Sequence, residues 1–317
     1  MPTSLIIGAG MSGLSAAREL ARTGWTVTVI DKGRGVGGRM ATRRLEQARA
    51  DHGAQYFSAK TPAFQAYVQE LLAEDVVNEW RLPDADHPRY IGRDGMSTVA
   101  KQLARDLDVR TGERAVNIEK TEAGCLVLTE TGGRYEADSL LVTIPVPQAL
   151  TLFNDSGLML SDSEQAVLAT IVYKPCLAVI VALNKPSRIP SPGILRFDEG
   201  PVSWVADNQQ KGISPNQPSV TIHASHAFSQ DHLEDDLNAV GRELIDQLPE
   251  FLPADAVATY QVHRWRYSQA DQRHDESFLQ INAPFPLLIG GDGFGMGNVE
   301  GAFQSGYEMA HWLMQKV

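Results

Sequence analysis

The chain has 317 residues and a formal charge of −11, from 28 basic and 39 acidic side chains. No basic block appears, which argues against a nucleic-acid or anionic-membrane partner, and the acidic balance gives an anionic substrate no long-range steering, so any phosphate recognition has to be local. A hydrophobic content of 43% with five Trp and ten Phe is ample for two closely joined domains, while two cysteines, Cys125 and Cys176, cannot make a disulfide framework.

In chain order, Leu5-Ile6-Ile7 reads as a short apolar strand with no basic stretch before it, which argues against a signal peptide. It runs into Gly8-Ala9-Gly10-Met11-Ser12-Gly13 and then into a helix-forming stretch, Leu14 to Arg22. Val27-Thr28-Val29-Ile30 reads as a second strand ending on Asp31. This is the pattern of a dinucleotide-binding βαβ unit. Gly8 allows the tight turn, Gly10 lets the backbone approach a pyrophosphate, and Gly13 lets helix and strand pack closely. The helix N-terminus, at Met11 and Ser12, offers free N–H groups to phosphates, and Asp31 can accept hydrogen bonds from the adenosine ribose.

The next turn indicates which dinucleotide. Lys32 is followed by Gly33-Arg34-Gly35-Val36-Gly37-Gly38-Arg39-Met40, a second glycine-rich loop that carries arginine. An NAD dehydrogenase has no need of it, whereas FAD is a longer molecule whose pyrophosphate and ribityl chain need more donors. Arg39 can fork onto phosphate oxygens while Gly37 and Gly38 keep side chains away. Lys32, Gly38, Arg39 and Met40 therefore join the expected FAD set.

Asp51-His52-Gly53-Ala54-Gln55-Tyr56-Phe57 returns toward the cofactor and adds Gln55 and Tyr56. Helical spacing predicts helices over Pro62 to Asp75 and Met96 to Leu107, with a surface loop between Leu82 and Pro88. Two strands, Arg114 to Glu119 and Cys125 to Glu130, are followed by the hairpin signal Thr131-Gly132-Gly133. Leu140 to Pro145 reads as a strand covered on both faces. From about Leu150 short β-rich runs dominate: Leu177 to Leu183, Val202 to Ala206, Val220 to Ala224 and Ala256 to Trp265, with one amphipathic helix from Leu233 to Leu248. They predict a mixed or antiparallel sheet. The apolar run around Cys176 is too short to span a bilayer, and the expectation is a cytoplasmic protein.

The chain then returns to the cofactor domain. Pro286 to Asp292 is a strand ending in Gly290-Gly291-Asp292, and Gly293 to Gly297 leads into a last helix. Asp292 is placed to hold a ribityl hydroxyl or lie near the pyrophosphate. The N–H groups near Asn298 and Val299 are placed to meet the charge that reduction puts on flavin N1 and the C2 carbonyl. In His263-Arg264-Trp265-Arg266, strand alternation puts His263 and Trp265 on one face, either on the cavity wall or in a domain interface. Tyr90, Arg93 and Met96 are candidate substrate contacts, Met96 with a core role as the alternative. No metal-ligand cluster appears.

The fingerprint with Gly37-Gly38-Arg39, the Gly290-Gly291-Asp292 strand end and the split cofactor domain resemble the flavin amine oxidase superfamily. Within it, Asp51-x-Gly53-Ala54-Gln55-Tyr56, Pro145-Val146-Pro147, His263-Arg264-Trp265-Arg266 and Gly290-Gly291-Asp292-Gly293-Phe294 are similar to the renalase-like group. The resemblance implies an α/β, two-domain FAD-binding fold: a Rossmann-like cofactor domain of the p-hydroxybenzoate-hydroxylase type over 1–62, 95–150 and 275–317, and a mixed-sheet substrate domain over 63–94 and 151–274. It implies non-covalent FAD, adenine contacts from the backbone of Val116, and oxidation of the 2- and 6-dihydro isomers of NAD(P)H to NAD(P)+ with O2 reduced to H2O2. His52 departs from the pattern; it would tune or tether the flavin, or more simply face a polar loop. A true amine oxidase or desaturase, with Lys174 as a weak candidate for a lysine near flavin N5, and a non-catalytic flavin redox sensor remain as alternatives.

Overall fold

The computed structural model describes residues 1–82 and 86–316. Part of the loop expected over 82–88 thus lies outside the described residues. Strand Thr3–Ile7 sits inside a six-stranded sheet, between parallel neighbours Thr26–Asp31 and Ser139–Val142. Asp108–Thr111 extends the sheet on one side and Leu287–Gly290 on the other, both parallel, and Phe278–Ile281 closes the far edge antiparallel. The inner strands Thr3–Ile7, Ser139–Val142 and Leu287–Gly290 are buried on both faces because both faces are covered. Ile6, Val29, Leu141 and Leu288 face Leu14, Leu20, Phe303 and Leu313 of the helices, while Leu5, Ile7, Ile30, Leu140 and Val142 face Phe153, Leu168 and Phe285.

Helix Met11–Arg22 lies between this sheet and the last helix, Asn298–Lys316. The two helices touch backbone to backbone: a Cβ on Gly306 would overlap the carbonyl oxygen of Ser12. On the opposite face lies an antiparallel meander, Ala115–Lys120, Cys125–Thr129 and Arg134–Ala137, turned at Gly132 with φ +89°. Two helices, Val146–Asp155 and Asp162–Ala169, stand where the sequence predicts β structure from Leu150. Val146, Ala149, Leu152 and Phe153 recur at helical spacing and fill the core beneath the sheet.

The second sheet has five strands, all antiparallel, in the order Ile194–Arg196, Val202–Asp207, Ser219–Ala224, Val172–Leu183, Val257–Gln272. Of the mixed and antiparallel sheets expected, it is the second. Its long strand Val172–Leu183 alternates between two packed faces. Leu177, Val179, Val181 and Leu183 pack with helix Leu237–Asp246, whereas Ile180 and Ala182 turn to the other face and meet Leu45, Ala48 and Ala50. That helix starts four residues later than the expected Leu233, because the Asp236 carboxylate caps the Ala239 N–H at 2.8 Å. The hairpin Thr42–Leu45 with Ala48–Asp51 bolts the two sheets together, through Ser219 and Thr221 hydroxyls donating to the carbonyls of Arg49 and Asp51.

Candidate functional site

A cleft of about 1810 Å³ runs along the carboxyl ends of the parallel strands and is closed on its far side by the antiparallel sheet. Helix Met11–Arg22 points its N-terminus into it. Gly10 is the extended residue before the helix, no side chain caps the first turn, and a Cβ at Gly10 would meet nothing within 4 Å. The N–H groups therefore face open space, as an anion site at a helix start requires. Asp31 ties the two glycine loops together, accepting from Ala9 N at 2.7 Å and Gly33 N at 2.6 Å. Across the cleft, the Gly291 turn and the start of helix Asn298–Lys316 present a second set of backbone groups. A dinucleotide carrying an isoalloxazine fits this elongated trough: N–H groups for phosphates, an acid for ribose, and a helix start at the far end.

The cleft brings together Gly8, Gly10, Met11, Ser12, Asp31, Lys32, Gly38, Arg39, Met40, Gln55, Tyr56, Val116, Gly291, Asp292, Asn298 and Val299, with His263 and Trp265. Gly13 is not on it; a Cβ there would overlap the Gly8 carbonyl oxygen, so Gly13 serves packing alone. Arg39 departs from expectation. Its guanidinium forks onto Asp292 at 2.7 and 2.5 Å and Nη1 also donates to the carbonyls of Tyr267 and Ser268 at 3.1 and 3.3 Å, so most of its donors serve protein partners rather than standing free for phosphate. Burial opposes its charge, but the Asp292 carboxylate outweighs burial and holds its pKa above the ordinary value. Arg39 is a strut between the sheets.

The three substrate candidates do not reach the cleft. Met96 is fully buried in the core, Tyr90 packs on Phe57, and Arg93 is exposed and paired with Asp75. Lys174 pairs with Asp271 at 2.6 Å on the surface. His52, expected on a polar loop, is only 3% exposed and lines the cleft. Asp51 turns inward, so alternation carries His52 to the opposite side.

There His52 joins a wall built by strand register. Ala178 is paired with His223 on one side and with His263 on the other, and Trp204 is paired with His223, so this rung presents four side chains to one face. Cys176 and Trp265 form the next rung. The His263 and Trp265 rings are 4.1 Å apart edge to face, His52 stacks 5.2 Å from Trp265, and Trp265 Nε1 donates to the His52 carbonyl at 2.8 Å. Burial, with Arg43 adding like charge to His52 and His263, pushes His52 down to about 3 and His223 and His263 to about 4. All three are neutral imidazoles at pH 7. Nδ1 of His52 and Nε2 of His223 are buried without a hydrogen-bond partner among the described residues, closed off from the open cleft.

Folded-state pKa values below the ordinary 6.5 mean that the unfolded chain binds protons first. Stability from these groups is present above pH 6.5 and is lost as pH falls from about 6.5 toward 3–4. His52 alone is expected to cost about 2 kcal/mol at pH 5. Thermal unfolding of the wild type and His52→Leu between pH 5 and 7.5 checks this: the wild type loses the larger increment, and equal slopes would refute it.

The sequence did not point to Lys211. It is fully buried, 2.7 Å from Asp51, 3.3 Å from Gln55 Oε1, and 5.4 Å over the Trp80 ring. Burial lowers its pKa against the raising effect of Asp51. Asp51 also accepts from Thr42 Oγ1 and Met96 N, and Gln55 donates to the Asp51 and Gly53 carbonyls, so the ion pair braces the Gln55 side of the cleft.

Among the described residues, eleven Lys and Arg side chains line the cleft against five Asp and Glu, a reversal of the chain's overall charge. None of the five acids is on the antiparallel sheet. Among the described residues no group of His, Cys, Asp and Glu could hold a metal ion, and no helix is long and apolar enough to cross a membrane.

Comparison with known proteins matches residues 6–71 to a family model for an NAD(P)-binding Rossmann-like domain and residues 75–312 to the model for flavin containing amine oxidoreductases. Mouse renalase is 28% identical over 96% of both chains. An L-amino-acid oxidase from Sistrurus catenatus edwardsii is 42% identical over 22% of this chain and 14% of its own length. Among solved structures, putrescine oxidase bound to putrescine superposes with a TM-score of 0.73 at 16% identity, covering 99% of this chain and 100% of the other, a likeness of fold alone.

Proposed function

Because this chain belongs to the family of flavin containing amine oxidoreductases, as a renalase-like, FAD-dependent oxidoreductase, we propose that it oxidises the 2- and 6-dihydro isomers of NAD(P)H to NAD(P)+, with O2 reduced to H2O2. Bound FAD supplies the hydride acceptor. The observation that carries the reading is the wall opposite the glycine turns: His52, His223, His263, Trp204 and Trp265, uncharged and without a carboxylate. An amine arriving as an ammonium ion finds no counter-charge there, and Lys174 and Lys211 are, respectively, at the surface and locked to Asp51. A flat dihydronicotinamide finds aromatic faces to stack against. Hydride loss from it needs no general base, which suits imidazoles that stay neutral.

In this reading the N–H groups of helix Met11–Arg22 hold the pyrophosphate beside Gly10, Asp31 holds the adenosine ribose, and the Val116 backbone faces adenine. The helix start at Asn298 and Val299 meets the pyrimidine edge of the flavin, where N–H donors favour added negative charge. His263 and Trp265 orient the carboxamide and ring of the substrate. FAD is held without a covalent bond: Cys176 is the cysteine that lines the cleft, and burial pushes its thiol up to about 12, so it is not a nucleophile.

Anaerobic stopped-flow at the flavin absorbance tests this, using β-NADH, a borohydride-made mixture of NADH isomers, and a panel of amines. Fast bleaching by the isomer mixture is expected, slowed roughly tenfold in His263→Ala by loss of one orienting hydrogen bond. Bleaching by an amine would move the function to amine oxidation, and bleaching by none of the donors would favour a redox sensor.

A further inference from the structure

A dihydronicotinamide nucleotide seated on this wall carries a phosphate that must end somewhere, and the hairpin facing the wall holds an arginine with no assigned task. We propose that Arg43 is the phosphate subsite for the dihydronicotinamide nucleotide, with Arg34 beside it, and that this contact selects nucleotides over phosphate-free dihydronicotinamides. The proposal rests on the reading above that such a molecule is the substrate.

Leu45 pairs with Ala48, and Arg43 with Ala50, across the two strands of the hairpin, so these four side chains share one face. Leu45, Ala48 and Ala50 pack on Ile180 and Ala182 of the antiparallel sheet. The next rung of that sheet is Ala178 with His263. Stepping two residues back from Leu45 on the same face therefore carries Arg43 over the His263 rung, and Arg43, His52 and His263 line the cleft together.

Arg43 is half-buried on an otherwise apolar face, and among the described residues its side chain makes no ion pair and no hydrogen bond. Other arginines of the cleft are engaged: Arg39 by Asp292, and Arg264 and Arg266 by Glu234. Burial first and the neighbouring Arg34 second depress the pKa of Arg43, a state that an anion between the two guanidinium groups would relieve. Guanidinium forks match phosphate oxygens bidentately, so two converging on one cleft make a site for a phosphate ester or pyrophosphate. The anion site at Gly10 is a separate place, at the start of helix Met11–Arg22, and is taken by the cofactor in the reading above.

The test compares borohydride-made isomers of the reduced mononucleotide with those of the phosphate-free riboside, each bleaching the FAD-loaded protein. In Arg43→Gln the preference in kcat/KM for the mononucleotide over the riboside is expected to fall about 10- to 100-fold, through KM rather than kcat. Arg43→Lys, which keeps a point charge but loses the fork, should fall between the two. Binding of NAD+ to each variant, read by perturbation of the flavin spectrum, should weaken in the same order. An unchanged preference in Arg43→Gln, with normal flavin content, overturns the subsite alone. Failure of every isomer to bleach the wild type overturns the substrate reading and the subsite with it.

Discussion

Lys211→Met is expected to destabilise the protein by about 3–5 kcal/mol, the range for removing one member of a buried ion pair. Neither partner of Lys211–Asp51 is exposed to solvent, so the substitution leaves a carboxylate in the interior with only Thr42 Oγ1 and Met96 N to satisfy it. The double variant Lys211→Met/Asp51→Asn removes the stranded charge and is expected to recover much of the loss. Thermal unfolding of the three proteins, followed by flavin release and by circular dichroism together, measures the difference. A Lys211→Met protein as stable as the wild type would show that the pair contributes nothing. Gln55 should also loosen, since Lys211 is 3.3 Å from its Oε1 atom, so the variant is expected to bind FAD less tightly even where it remains folded.

The second large effect separates two glycines at the same helix N-terminus, one that faces the cleft and one, on the last helix, that packs against its back. Gly10→Ala places a methyl group in open cleft, with no neighbour within 4 Å and a backbone φ of −81° that alanine adopts freely. The apoprotein should be as stable as the wild type, and FAD affinity should fall at least about 100-fold, because the methyl group occupies the pyrophosphate's approach. Gly306→Ala does the reverse from a distance. Its methyl group overlaps the Ser12 carbonyl oxygen, so the last helix must move off helix Met11–Arg22 at a cost of about 1–3 kcal/mol. Flavin content then falls because the helix N-terminus is displaced. Titrating each apoprotein with FAD and melting it without FAD distinguishes the two. A stable, FAD-binding Gly10→Ala protein would refute the placement of the pyrophosphate.

Most of the cofactor side could be read from the chain because its signals are local. The Gly8–Gly13 turn, Asp31 and the second glycine loop lie within one βαβ unit, and the alternation of a strand was enough to put His263 and Trp265 on one face. The partners that change the picture are remote in sequence. Asp292 claims the Arg39 fork from 253 residues away, and Asp51 draws in Lys211 across 160 residues. Lys211 stands in the polar stretch Asn208-Gln209-Gln210-Lys211-Gly212, which has the composition of a solvated turn. His52 looked like a loop residue because nothing local shows that Trp265 will donate to its carbonyl and stack beside its ring. Arg93, with a charge that suits a substrate contact, is instead spent on Asp75 at the surface.

The strand order of the parallel sheet also sets a timetable. Leu287–Gly290 lies beside Ser139–Val142, and helix Asn298–Lys316 covers helix Met11–Arg22, so the cofactor half is assembled from residues made early and residues made late. Synthesis from residue 142 to residue 290 takes roughly 7–30 s at 5–20 residues per second. Through that interval the edge of Ser139–Val142 has no partner strand, and the surface of helix Met11–Arg22 around Ser12 is bare. The antiparallel sheet, by contrast, is continuous in sequence from Val172 to Gln272 and closes before the older segments do. A chain truncated at residue 285 should therefore carry a protease-resistant antiparallel sheet and a protease-sensitive N-terminal third, and it should bind no FAD. Flavin capture is the step that records the arrival of the last strand.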